Sequence, residues 1–124
     1  MISHFVNRRA GFTYIVVHGL PNLSEYIETA RDIRADDHYN PQSRWICDFM
    51  RSDLGSALNL HLLKLTTFLR EVNPSRSRVA IIAHPSLVEP INQFALAHDA
   101  DHLCVFEEQT AAYRWVAPRL SAIA

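Results

Sequence analysis

The chain is poor in the residues from which most recognisable sites are built. Its 124 residues include three glycines, at Gly11, Gly19 and Gly55. Neither G-x-G-x-x-G nor G-x-x-x-x-G-K-[ST] occurs, which argues against the dinucleotide and nucleoside-triphosphate cradles built on those loops. There is no G-x-S-x-G elbow and no C-x-x-C. The two cysteines, Cys47 and Cys104, stand far apart inside apolar runs, so they read as small buried hydrophobes in a reducing compartment. Charge of one sign is lacking too. Twelve basic residues face thirteen acidic ones, for a formal net charge of −1. Nucleic acid or an anionic membrane surface would call for a basic field, so neither is expected as a partner. No apolar run approaches the roughly 18 residues that suggest a membrane span, and the first residues lack a charged-then-apolar signal pattern. The expected location is the cytoplasm. With few glycines and six prolines there is no low-complexity stretch or long linker, which leaves one domain over 1–124. A chain of this size buries roughly two thirds of its unfolded surface.

What is present is an alternation of strand-like and helix-like segments. Residues 1–6 and 12–18 are β-prone and flank the turn 7–11, as in an antiparallel hairpin with the first strand at an edge. Asn22 followed by Glu25 fits a capping box, and Leu23, Tyr26, Ile27, Ala30 and Ile33 then recur at helical spacing. The polar stretch 36–41 ends that helix. The central unit follows: a strand over 44–50, a loop over 51–55 and the longest helix over 56–72. Trp45, Cys47 and Phe49 alternate with Ile46, Asp48 and Met50, so both faces carry apolar residues, as in the interior of a covered sheet. Asp48 is the exception and needs a partner or a solvent-facing strand end. In the helix, Leu58, Leu62, Leu65, Leu69 and Val72 form one stripe, widened by Leu60, Leu63 and Phe68. That width exceeds one sheet contact and points to deep burial or to a homodimer interface.

Two further units complete the chain. Residues 79–83 are wholly apolar, as in a parallel strand, and Ser86 with Glu89 suggests a capping box for the next helix. Pro90 is expected near its first turn, where proline costs little. Residues 102–106 are a last strand, and 107–110 open an acidic helix start of the kind the helix dipole favours. Pro118 is expected to end or kink that helix, with a loose tail to Ala124. The expected fold is α/β: a single two-layer domain with an N-terminal β-hairpin, then a mostly parallel sheet with alternating helices.

The histidines and carboxylates form two sequence clusters, Asp36-Asp37-His38 and Asp99-Asp101-His102. Neither has a readable third or fourth ligand, so both read as solvated loops, and no metal or cofactor is expected. A nucleophile pair of Ser52 or Ser56 with His61 or His84 is conceivable. In open parallel sheets, ligands sit beyond the carboxyl ends of the strands, where Arg51, Ser52, Asp53, Ser56, His84, Ser86 and Glu107 would gather. Polar loops occur there in any such protein, so no catalytic residue is assigned.

The order of elements, with Trp45-Ile46-Cys47-Asp48-Phe49, Arg78-Val79-Ala80-Ile81-Ile82-Ala83 and Leu103-Cys104-Val105-Phe106-Glu107-Glu108 followed by the helix over 112–116, resembles the STAS superfamily in its SpoIIAA-like branch, the anti-sigma-factor-antagonist-like domains. The resemblance covers most of the chain and rests mainly on hydrophobic pattern, with Asp48 similar to the aspartate that closes the family's central strand. In phosphorylatable members, the loop before the helix carries an Asp-Ser-Ser-Gly-like motif that a kinase partner modifies. This chain departs from it, reading Ser52-Asp53-Leu54-Gly55-Ser56-Ala57. Ser56 is the nearest hydroxyl and is either a helix cap or a switch. The resemblance implies a small non-enzymatic regulatory domain that docks Arg51, Ser52, Asp53 and Ser56 on a protein partner, a kinase-type regulator among the candidates; the width of the leucine stripe adds the expectation of a homodimer. The alternative is a carrier or sensor of a small apolar or acidic ligand at the rim of His84, Ser86 and Glu107. A hydrolase-like enzyme stands third.

Overall fold

The computed structural model describes residues 1–117, apart from the side chains of Leu54 and Ser56. Pro118 and the tail to Ala124 lie outside the described residues. The elements run β1 (Ile2–Asn7), β2 (Phe12–Gly19), α1 (Leu23–Ala35), β3 (Arg44–Ser52), a 3-10 turn (Leu54–Ala57), α2 (Leu58–Val72), β4 (Val79–Ile82), α3 (Pro85–Ala97), β5 (Leu103–Phe106) and α4 (Gln109–Val116). The five strands form one sheet in chain order, β1-β2-β3-β4-β5. β1 is antiparallel to β2, and every other neighbouring pair is parallel. The expected hairpin is therefore present, with β1 at an edge. Gly11 closes it at φ +76°, a conformation open to glycine because it has no Cβ.

Side-chain alternation sorts the two faces of the sheet. Ile15, Val17, Trp45, Cys47, Phe49, Val79 and Ile81 point to the face covered by α1, α2 and α3. Parallel crossovers of one hand, always stepping the same way across a sheet, place their helices on one side. Phe12, Ile46, Ala80 and Ile82 point the other way, onto Ala112 and Val116 of α4. This last helix is held at its end by the starts of two strands. Arg44 Nη1 donates to the Val116 carbonyl at 3.0 Å and Arg78 Nη1 to the Trp115 carbonyl at 2.9 Å. The Arg78 guanidinium also lies 5.1 Å from the centre of the Trp115 ring. Cations at a helix C-terminus satisfy orphan carbonyls and oppose the negative end of the dipole.

Several local expectations are met and several are corrected. Asn22 caps α1, its Oδ1 accepting from Glu25 N at 2.9 Å. In α1, Tyr26, Ala30 and Ile33 are buried, whereas Leu23 and Ile27 are exposed. β3 runs two residues beyond Met50, and α2 begins at Leu58 with Ala57 as its N-cap, because the 3-10 turn is inserted before it. Leu62, Leu65, Phe68, Leu69 and Val72 are buried, while Leu60 and Leu63 face outward, so the stripe is narrower than its sequence. α3 starts at Pro85 with His84 as N-cap, not at a Ser86 box. Pro90 is the sixth residue of that helix rather than part of its first turn. It removes the N–H that would bond the Ser86 carbonyl, and Ser86 is exposed, which lets water take that place. α4 starts at Gln109, leaving Glu107 and Glu108 before it. Cys47 is fully buried, but Cys104 is only half-buried, since β5 is the other edge of the sheet.

Candidate functional site

The parallel topology brings the carboxyl ends of β3, β4 and β5 into one row, and with them the residues the sequence marked. Arg51 and Ser52 are the last residues of β3, not part of a loop. Arg51 is exposed and sits opposite His18 in the ladder with β2, and Ser52 sits opposite Gly19. Two hydrogen bonds stiffen this strand end: Ser52 Oγ donates to the Phe49 carbonyl at 2.7 Å, and Asp53 N donates to the Gly19 carbonyl at 3.0 Å. Asp53 is exposed, and Gly55 lies beside the first turn of α3, where a Cβ built on it would meet Leu87 at 3.8 Å. His84, Ser86 and Glu107 are exposed on the neighbouring strand ends. The backbone of Ser56 lies in the 3-10 turn, and its side chain is outside the described residues. It is not the N-cap of α2, a position taken by Ala57.

The rim thus displays polar groups from three strand ends, with the end of β3 held by those two hydrogen bonds. Among the described residues, no hydrogen bond or ion pair joins any two of Arg51, Ser52, His84, Ser86 and Glu107. His61, the other candidate base, is buried in α2 with Nδ1 unpartnered, and burial followed by the nearby Lys64 charge lowers its pKa. Tyr26 Oη and Trp45 Nε1 are likewise buried without partners, and both rings pack edge-on against Phe68. Burial raises the pKa of Tyr26, helped by Cys47 and Glu25, and the buried Cys47 thiol is pushed up as well, against a thiolate nucleophile. No group of three His, Cys, Asp or Glu residues gathers to hold a metal ion among the described residues.

Asp48, the anomaly of the central strand, has two partners. Between the pairs Val16↔Asp48 and His18↔Arg51, β2 advances two residues and β3 three, so β3 carries a bulge. The bulge frees the Met50 N–H from the ladder, and Asp48 Oδ1 accepts it at 2.9 Å. Asp48 Oδ2 accepts from Tyr14 Oη at 2.9 Å. Tyr14 stacks on Tyr113 and takes a 3.3 Å bond from Gln109 Nε2. Desolvation, then the Asp48 hydrogen bond and charge, push the Tyr14 pKa up. The carboxylate therefore fixes the bulge just before the rim and ties β2, β3 and α4 together.

Two grooves lie away from the rim. One, of about 330 Å3, runs between α1 and α2 along Leu23, Ile27 and Phe68 and is closed by the Arg34–Glu71 ion pair at 2.7 Å. The other, of about 240 Å3, lies where α2 and α3 end, at the opposite end of the sheet, and includes Leu63, Arg70, Arg76, Asp99 and Leu103. Sequence reasoning missed both, because each joins segments distant in the chain. No helix of the described residues is long and apolar enough to cross a membrane. No protein-family model, curated protein or solved structure matches the chain.

Proposed function

We propose that the chain is a small non-enzymatic regulatory domain of the SpoIIAA-like kind, in the STAS superfamily, which acts by docking its strand-end rim on a protein partner in the cytoplasm. The observation that carries this reading is the rim itself: Arg51 and Asp53 at the hydrogen-bonded end of β3, His84 and Ser86 beyond β4, and Glu107 beyond β5 are all exposed. Charged groups displayed on a fixed backbone favour selection of a partner by complementary charge, whereas a nucleophile needs a base within hydrogen-bond reach. The element order, a hairpin followed by three strand–helix units, supports the family assignment. Ser56, in the turn beside this rim, is the switch residue, since a phosphate there adds charge and acceptors to the docking surface. A second copy of the chain covers the apolar residues Leu23, Ile27 and Leu60, which are exposed on the outer helices.

The test is co-purification from the host, quantified by mass spectrometry, of wild type against an Arg51→Glu/Glu107→Arg variant. The reading expects a partner protein held by wild type and lost from the variant at equal thermal stability, with phosphate mapped to Ser56 in part of the pool. A partner retained by both proteins would overturn the rim as the docking surface. Light scattering on Ile27→Glu/Leu60→Glu tests the dimer, which is expected to fall to monomer.

A further inference from the structure

The groove at the ends of α2 and α3 is bordered by two loops with an uncommon backbone feature. Asp99 has φ +54° and Arg76 has φ +51°, and they are the two non-glycine residues with positive φ among the described residues. Asp99 sits at the position after the C-cap of α3. Ala100 N donates to the Ala95 carbonyl at 2.8 Å, and Asp99 N to the Leu96 carbonyl at 3.4 Å. This is a Schellman end, whose left-handed residue is usually glycine because a Cβ there is penalised. The Arg76 guanidinium crosses to the same turn, donating to the Asp99 carbonyl at 2.7 Å and lying 3.4 Å from Asp101 Oδ1. The backbone holds Asp99 where glycine would fit with less strain, and its carboxylate has no hydrogen bond or ion pair among the described residues.

Arg70 of α2 lines the same groove, is exposed and is also without a hydrogen bond or ion pair among the described residues. Leu63, Leu69 and Leu103 supply the apolar part of the lining, beside the polar Thr66 and Asn73 and the rings of His98 and His102. A volume of about 240 Å3 falls below the roughly 300–1,000 Å3 of sites for drug-sized molecules, so the occupant is small. A cation and an anion without protein partners, in one groove with a leucine-lined part, complement a molecule with both charges and a hydrocarbon body. A simple carboxylate would leave Asp99 unmatched, and a simple amine would leave Arg70 unmatched.

We propose that this groove binds a free α-amino acid with an apolar side chain: its carboxylate on Arg70, its ammonium on Asp99, and its side chain against Leu63, Leu69 and Leu103. The site lies at the opposite end of the sheet from the docking rim and stands independently of that reading.

Calorimetric titration of the full chain with L-leucine and L-phenylalanine tests it, with isocaproate and isoamylamine as matched compounds bearing one charge each. At least one amino acid is expected to bind saturably, about tenfold or more tighter than either single-charge compound. Arg70→Ala and Asp99→Gly are each expected to weaken it by about tenfold or more. Asp99→Gly is also expected to melt no lower than wild type, which separates the loss of ligand from a loss of fold. The proposal is overturned if neither amino acid binds at millimolar concentration, if isocaproate or isoamylamine binds as tightly, or if Asp99→Gly binds as wild type does.

Discussion

Replacing Asp48 with alanine removes both hydrogen bonds at the bulge of the central strand. Each bond to a charged group contributes about 1.5–3 kcal/mol, and a buried donor left unmade costs about 1–3 kcal/mol. The two donors do not lose equally. Tyr14 is half-buried and its hydroxyl retains Gln109 Nε2, so water can replace the carboxylate there. The Met50 N–H is part of a strand and is partly buried, which makes its loss the larger share. Relief of the carboxylate's own desolvation offsets some of the total. The net expected destabilisation is about 2–3 kcal/mol, which in a domain of this size lowers Tm by about 10 °C. Asp48→Asn keeps an oxygen for the Met50 N–H and is expected to cost about 1 kcal/mol. Urea unfolding of wild type, Asp48→Ala, Asp48→Asn and Tyr14→Phe, with the alanine–phenylalanine double mutant to close the cycle, measures each term. If Asp48→Ala cost less than about 0.5 kcal/mol, or if asparagine cost as much as alanine, the bulge would not depend on this carboxylate.

Three further outcomes follow from the structure. Arg78→Ala removes a carbonyl bond and a cation–π contact at the end of α4 and is expected to cost about 1–2 kcal/mol, with faster amide exchange in α4 than in β4; unchanged exchange would show that α4 does not need the clamp. The folded-state pKa values of Tyr14 and Tyr26 are raised, so their contribution is complete below the unfolded tyrosine value of about 10 and is lost as pH rises past it. An ultraviolet titration is expected to show these two phenols ionising together with alkaline unfolding, and ionisation in the intact fold near pH 10 would contradict their burial. The folded-state pKa of His61 is lowered, so its unprotonated form is the one the fold accepts, and stability is expected to fall as pH drops below about 6.5. His61→Leu should flatten that part of the pH–stability curve, and an unaltered slope would assign it elsewhere.

The layout of the sheet was legible because its residues obey short periods. Alternation in 44–50 identified a strand covered on both faces, and Asn22 with Glu25 marked where α1 begins. The same alternation flagged Asp48, but its partners were not readable, since Tyr14 lies 34 residues away and the Met50 N–H is freed only by a bulge. The junction before α2 was misplaced because a 3-10 turn without a side-chain cap separates strand and helix. The breadth of the leucine stripe overstated burial in α2: Leu60 and Leu63 share its sequence pattern but face outward. At the far end of the sheet, Asp99 looked like part of a solvated acidic loop. Its left-handed backbone, and the groove it shares with Arg70, arise from where two helices stop.

The docking rim is tested most directly by photo-crosslinking in the host, with a photoreactive residue placed at Arg51, at Ser86 or at Ser75, the last lying in the turn at the opposite end of the sheet. The account expects one protein partner crosslinked from both Arg51 and Ser86 and absent from Ser75. Equal crosslinking from all three positions, or a partner captured from Ser75 alone, would contradict a domain that works through its strand-end rim.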